Sequence, residues 1–434
     1  MSKILSFLEW FGRRMTPAGK AVMYVMSFGG ALGIDTRSSL SYVLFSLAFS
    51  IWVTSFLVRG KFQISFSVKR YLPKFVTVDK PIFYRVVIQN TSGQLLEGLK
   101  ISERLKQTYP TKIEMALYRS KKLWNRLNEG NQWHRQLRRL RAIEVGSVAI
   151  PKLLPGQSTE VLLTLQPTYR GIGVFNCFEI SREEPFGLWK AICDLPAPDS
   201  ITVLPRVYPV HWPNFPGKRH HQQGGVLHAS RVGDSEEFRA LRDYRPGDPL
   251  RAIHWKSWAR TGQPIVKEYQ EEYFARYALV FDTVFTSEDY FEASVSAAAS
   301  FVVTQPGADT LLDLLFVTSQ STTSSERFDT HCVTAGRGLG NTEDLMRVLA
   351  TVKPSGPESF GALARTVLEH AAGIGGIILV LQTWDTPRLE LIKKLKTKGI
   401  AVRVYAPQNI DFPDFVPEGR RIEVSKLKEI LSTP

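Results

Sequence analysis

The sequence predicts a multidomain chain: an N-terminal transmembrane helical hairpin, a β-sandwich-like domain with a basic helical insertion, and a C-terminal α/β doubly wound sheet. Three observations predict it. Two apolar runs, Pro17–Ile34 and Leu40–Val58, stand near the N-terminus. From Phe62 to about Pro209, short runs alternate apolar and polar residues, as half-buried strands do. Beyond Ala275, wholly apolar runs alternate with helical ones. At 434 residues the chain exceeds the roughly 250–300 that one core usually holds. The boundaries fall at 1–60 for the anchor, 61–210 for the β-rich domain, 211–232 for a linker and 233–434 for the α/β domain.

In the anchor, Leu40–Val58 is nineteen residues without a charge and reads as a spanning helix. Pro17–Ile34 reaches roughly 27 Å at about 1.5 Å per residue, just under the hydrocarbon core, if Lys20 snorkels. Basic residues flank the pair on both sides: Lys3, Arg13, Arg14 and Lys20 before it, Arg59, Lys61, Lys69, Arg70 and Lys74 after it. The positive-inside rule then puts both ends, and the bulk of the chain, in the cytoplasm, with the protein multi-pass in the cytoplasmic (inner) membrane. A signal peptide is the rival reading, but a second apolar segment follows at once and no small-residue cleavage site is evident.

The next segment contains QISFSVKRYL, PIFYRVVIQN, TEVLLTLQP, GVFNCFEIS and SITVLPRVY, separated by Pro, Gly and Asn-Thr-Ser-Gly breaks. They predict an antiparallel sandwich of about seven strands. Lys112–Ile143 interrupts it with helical apolar spacing, as two amphipathic helices. Between Lys100 and Arg141 there are twelve Lys/Arg and three Glu, so much of the net charge of +14 gathers here. Contact with an anionic leaflet is the most economical explanation; a solvated or partner face and nucleic acid are the alternatives, and no nucleic-acid module surrounds these residues. No nucleic-acid partner is expected. His211–Arg231, with its His220-His221 pair, reads as a linker or surface loop.

After residue 275, ARYALVFDT, LLDLLFVTS, GGIILVLQT and IAVRVYAP read as strands, HCVTAG as a weaker one, and the segments between them as helices. Fully apolar strands in this alternation make a mostly parallel sheet. Ligands in such sheets bind at the carboxyl ends of strands, where Asp282, Thr318 and Gln382–Asp385 stand. Asp282 resembles the start of the divalent-cation site of von Willebrand factor A domains, which needs Asp-x-Ser-x-Ser, a later threonine and a further aspartate. Here Val284 replaces the middle hydroxyl. Thr342 and Asp385 leave the set incomplete, so no metal site is assigned. Three cysteines, with no C-x-x-C pair, argue against a disulfide framework or a zinc ribbon. There is no G-x-S-x-G elbow, Walker loop or G-x-G-x-x-G after a strand, and GRGLGN at Gly336–Asn341 reads as a loop. Neither catalytic residues nor a cofactor are expected.

One stretch stands apart: Gly233–Glu272, dense in arginine and aromatics. Asp248 as N-cap, Pro249 at the first helical position and Gly262 past the end predict a helix. Arg251, Trp255 and Trp258 would share one face of it, and Pro264–Glu271 would follow as a strand. Arg242, Arg251 and Arg260 are placed to pair with Asp243, Asp248 and Glu268, either locking the segment to the sheet or leaving a side for a partner.

The residues Glu237-Phe238-Arg239-x-Leu241-Arg242-x-Tyr244 and Gly247-Asp248-x-x-Arg251-x-Ile253-x-Trp255-Lys256-x-x-Ala259-Arg260 closely resemble the signature of the bacterial family called domain of unknown function fifty-eight. Arg170-Gly171 and Pro185-Phe186-Gly187-Leu188 resemble its upstream RG and DPFGL marks, with Glu184 where aspartate is usual. The resemblance implies a membrane-anchored protein with a cytosolic von Willebrand factor A-like domain, working with a MoxR-type AAA+ ATPase on the assembly or maturation of other complexes. It brings no catalytic residues. The expectation is a non-enzymatic adaptor whose family motif or partner-binding residues are Arg242, Tyr244, Gly247, Asp248, Arg251, Trp255, Lys256 and Arg260. The rival expectation is a divalent-cation-dependent adhesion module or metal-dependent enzyme.

Overall fold

The computed structural model describes residues 10–32, 39–58, 65–106, 139–215, 237–248, 250, 253–270, 275–304, 310–322, 325–334, 339–371, 373–408, 412–416 and 419–432. They form two compact units: residues 1–206 with 347–351, and residues 207–346 with 352–434.

In the first unit, helices α1 (Pro17–Leu32) and α2 (Ser39–Val58) lie side by side. Gly29 and Gly30 abut Phe45, and Val22 and Met23 of α1 and Trp52 of α2 pack against one buried group, Met15, Leu188 and Trp189. Tyr42, Val43, Leu44, Leu47 and Leu57 of α2 are exposed, so its apolar character runs all round the helix. Among the described residues only α2 is long and apolar enough to cross a membrane, with mean hydropathy 1.8 over Ser41–Val58. The sixteen residues of α1 reach roughly 24 Å at about 1.5 Å per residue, short of a hydrocarbon core of about 30 Å.

Nine strands follow among the described residues: β1 (Phe66–Tyr71), β2 (Phe75–Thr77), β3 (Ile82–Asn90), β4 (Leu99–Leu105), β5 (Ile143–Val145), β6 (Val148–Ile150), β7 (Ser158–Pro167), β8 (Gly171–Glu183) and β9 (Lys190–Leu204). They build one sheet ordered β1-β3-β7-β5 and another ordered β2-β9-β8-β4-β6. Inward positions such as Val86, Ile88, Leu163 and Ile101, Phe178, Ile180 come from both sheets and join in one core. The β2–β9 pairing is parallel, a departure from the all-antiparallel expectation. Ile143 opens β5 directly after Ala142, whose φ of 60° ends the preceding helical turn, so Ile143 is not part of a helical face. The rest of the basic insertion, 107–138, lies outside the described residues. Arg70, expected among the basic residues flanking the anchor, is instead buried in the sandwich. It pairs with Glu103 at 2.9 Å and its guanidinium lies against the rings of Phe175 and Phe178.

The second unit opens with residues 207–215, of which 211–215 do not form the loose linker that the sequence suggests. Trp212 packs edge-on against Tyr277 and Phe301, and Phe215 stacks on Tyr277, because these rings have apolar partners to cover. A small antiparallel pair, β10 (Glu237–Asp243) and β11 (Ile265–Gln270), brackets the short helix α3 (Trp255–Thr261). The main sheet contains β12 (Ala275–Phe281), β13 (Thr310–Thr322), β14 (Ser325–Thr334), β15 (Gly376–Val380), β16 (Ala401–Pro407) and β17 (Arg420–Ile422), in the order β14-β13-β12-β15-β16-β17. Only β13–β14 is antiparallel. The helices are α4 (Glu288–Val303), α5 (Leu339–Thr351), α6 (Ser359–His370), α7 (Thr386–Thr397) and α8 (Leu427–Ser432). On one face α4 sets Phe291 against Phe281 and Phe301 against Tyr405. On the other, α6 and α7 bury Phe360, Leu363, Leu391 and Leu395 over Ala278, Val280, Ile377 and Leu379. Leu339–Asn341, expected in a loop, belong to α5.

Candidate functional site

The arginine- and tryptophan-rich segment folds around one carboxylate. Asp248 takes a bidentate pair from Arg242, Nη1 to Oδ2 and Nη2 to Oδ1 at 2.7 Å each, and accepts the Arg245 N–H at 2.9 Å. The Arg242 guanidinium, then the Arg245 N–H, hold the Asp248 carboxyl down at about 2. The expected helix therefore does not start at Asp248. Its carboxylate is engaged by Arg242 rather than by helical N–H groups, and α3 begins only at Trp255 with His254 as N-cap. Gly262 closes it as expected, in the left-handed conformation.

The remaining motif residues separate into scaffold and surface. Tyr244 N–H donates to Pro264 O at 2.9 Å, tying β10 to β11. Gly247 has φ of 110°, a value that admits little but glycine, and so lets the chain turn back to place Asp248 beside Arg242. Ile253 and Val266 are buried and bridge to one another. Arg251 lies outside the described residues. Trp255, Lys256 and Arg260 are exposed, and no residue of α3 is buried. Trp255, 63% exposed, stacks on Trp258 with centroids 5.2 Å apart and planes 20° from parallel. Leu250 beside them is 67% exposed. His254 Nδ1 and Ser257 Oγ are 2.6 Å apart at the head of the helix.

The carboxyl ends of the main strands hold a different arrangement. Asp282 is fully buried, and its Oδ2 accepts from Gln382 N–H at 3.0 Å and from Arg388 Nε at 2.8 Å, with Arg388 Nη2 also 2.7 Å away. Its Oδ1 accepts the Val284 N–H at 3.1 Å. Burial pushes the Asp282 carboxyl up, against Arg388 and the two N–H groups, which favour the charged form. The guanidinium also reaches Asp385 and lies 4.1 Å from the centroid of Phe360. Asp385 caps α7 through Arg388 N–H. Thr283 Oγ1 donates to Val317 O, and Thr283, Ser355 and Ser359 form a buried hydroxyl chain at 2.9 and 2.7 Å. Thr342 is placed on helix α5, not on a loop.

This donor set does not fit a divalent cation. Both oxygens of Asp282 already accept hydrogen bonds, the Thr283 hydroxyl faces a carbonyl, and a permanent cation, Arg388, stands against the carboxylate. Sequence reasoning missed Arg388, although it carries a signal. An arginine in the first turn of a helix faces the positive end of the dipole and needs a compensating anion. Asp282 and Asp385 are that anion.

Comparison with known proteins places the segment. Residues 240–418 match the family model described as "Protein of unknown function DUF58". That stretch runs from β10 through the Trp pair and Asp282 to beyond β16. A Bacillus subtilis (strain 168) relative, "Uncharacterized protein YeaD", is 32% identical over 135 residues, covering 31% of this chain. The matched part spans only 33% of that relative's length. Two structural likenesses are faint: the CARDB domain of PF1109 from Pyrococcus furiosus (12% identity, 32% of this chain and 93% of that one, TM-score 0.15) and Escherichia coli alpha-2-macroglobulin (14% identity, 34% and 8%, TM-score 0.19). At these scores neither bears on the fold.

Proposed function

We propose that the protein is a non-enzymatic, membrane-anchored adaptor with a von Willebrand factor A-like domain that binds a protein partner through α3 and its flanks. The observation that carries this reading is the stacked Trp255–Trp258 pair, Trp255 exposed and Trp258 half-buried, on a helix with no buried residue that also exposes Lys256 and Arg260. Exposed aromatics fixed in place, beside an arginine, have the composition of binding hot spots, since their burial gains much and orders little. The Ile253–Val266 bridge and the His254 N–H bond to Ile265 O, 2.8 Å, tie the start of α3 to β11. The strand-end site supports a binding role over catalysis, because Asp282 is closed by Arg388.

The family resemblance supports a MoxR-type AAA+ ATPase as the partner, with the pair acting in the assembly or maturation of other complexes. The anchor in this proposal is two-pass in the cytoplasmic membrane, with α1 and α2 both entering the bilayer, the β-rich domain and the second unit in the cytoplasm, and the basic insertion against anionic lipid. A tagged full chain, extracted in mild detergent and captured with its neighbours, is expected to bring down an AAA+ ATPase. The Trp255→Ala, Trp258→Ala double variant is expected to lose it. Capture that survives the double variant, or capture without any ATPase, contradicts the proposal.

A further inference from the structure

The Pro185-Phe186-Gly187-Leu188 turn is a sequence mark that the partner-binding reading leaves unexplained, and it lies against the helical anchor rather than in either sheet. Glu184 organises it. Oε1 accepts the Ser55 hydroxyl of α2 at 2.5 Å, the Leu188 N–H at 2.6 Å and the Trp189 N–H at 3.1 Å, while Oε2 accepts the Phe186 N–H at 2.6 Å. Burial alone would raise the Glu184 carboxyl, but these four donors hold it below the ordinary carboxylate value. From the other side, Thr16 N–H donates to Leu188 O at 3.0 Å and its hydroxyl to Gly187 O at 2.6 Å. Gly19 passes so close that a Cβ there would lie 2.2 Å from Leu188 O. The turn is thus clamped to the start of α1 and the end of α2.

Three features set the level of this clamp. Ser55 is within the last turn of α2, and Leu57 and Val58 beyond it are exposed apolar residues. Trp189 sits edge-on to Phe11, Trp52 and Phe56, an aromatic group of the kind that marks a membrane–water boundary. Arg14, over the Trp10 ring, and the exposed Lys20 put positive charge at the same end of α1. At the tip of the turn Phe186 is 52% exposed, held outward by the bond from its own N–H to Glu184. Phe186, exposed on the turn that Glu184 bonds to Ser55, and Leu57, exposed two residues past Ser55, have one occupant that would cover both, the bilayer interface.

We propose that this turn is a lipid-binding element, in which Phe186 enters the interfacial layer of the membrane and the Glu184 clamp makes the β-rich domain and the anchor one piece. It rests on the reading that α2 enters a bilayer. The test is photocrosslinking in native membranes of the full chain, with p-benzoylphenylalanine in place of Phe186, of Leu47 on α2, or of Ile172. Ile172 is also exposed but stands eleven residues from Glu183 along β8, roughly 35 Å at about 3.3 Å per residue. Lipid adducts are expected at Phe186 and Leu47 and not at Ile172. Adducts at Leu47 without any at Phe186 overturn the lipid-binding turn and leave the anchor standing. Absence at Leu47 as well overturns the anchor itself. A Glu184→Ala change is expected to remove the Phe186 adduct while keeping that at Leu47; retention of both would overturn the clamp.

Discussion

Removing the guanidinium of Arg388 would leave the Asp282 carboxylate fully buried without its counter-charge, a condition that typically costs about 3–5 kcal/mol. Arg388→Ala is therefore expected to destabilise the second unit by about that amount in chemical denaturation. Replacing both partners together, as Asp282→Leu with Arg388→Met, is expected to recover most of the loss, since paired removal of a buried ion pair is often neutral. A double variant as unstable as the single one would show that Arg388 acts through something other than Asp282. The Arg242–Asp248 pair gives a prediction in pH. Its folded-state carboxyl is depressed to about 2 from an unfolded value of about 3.9. The support it lends is present above the unfolded value and fades as pH falls through about 2. In Arg242→Ala the Asp248 titration, followed by carboxyl NMR, is expected to return toward the ordinary value; an unmoved titration would place the cause elsewhere.

At the scale of elements, legibility followed the range of the forces involved. The apolar strands were plain in the sequence: Gly376–Val380 is buried at every position, and Ala275–Phe281 follows from the run ARYALVF. Helix α4 carries its own start, with Ser287 accepting the Tyr290 N–H and Glu288 and Asp289 in the first turn. The start of α3 departs from the capping pattern because the Asp248 side chain is held by Arg242, a contact that capping rules do not see. The inward turn of Arg70 was equally hidden, since its reason is Glu103 on another strand. Of the candidate site, the residue types were visible but not their sorting, in which Tyr244, Gly247 and Asp248 build the turn and Trp255, Lys256 and Arg260 remain outside. Helix α1 offers a test at this scale. Gly19→Ala drives a methyl into Leu188 O, and is expected to loosen the joint between α1 and the β-rich domain. Faster protease cleavage near residues 184–189 in the full-length protein would report it, and an unchanged digestion pattern would show that the helix can shift aside.

For the whole molecule, the composition already leaned toward surfaces: a net charge of +14, an apolar N-terminus and five arginines with two tryptophans in residues 233–272. In the proposed reading they become an apolar anchor, a turn seated beside it and a tryptophan pair that meets a partner. The Trp pair is its centre. The most direct test is the affinity of the purified, detergent-solubilised full chain for the purified MoxR-type ATPase of the same organism, with and without the tryptophans. Losing a hot spot of about 2 kcal/mol weakens binding roughly 30-fold. A loss of at least that order is expected for Trp255→Ala with Trp258→Ala, with folding unchanged because neither side chain is buried. Equal affinity of the wild-type and doubly substituted proteins would contradict it.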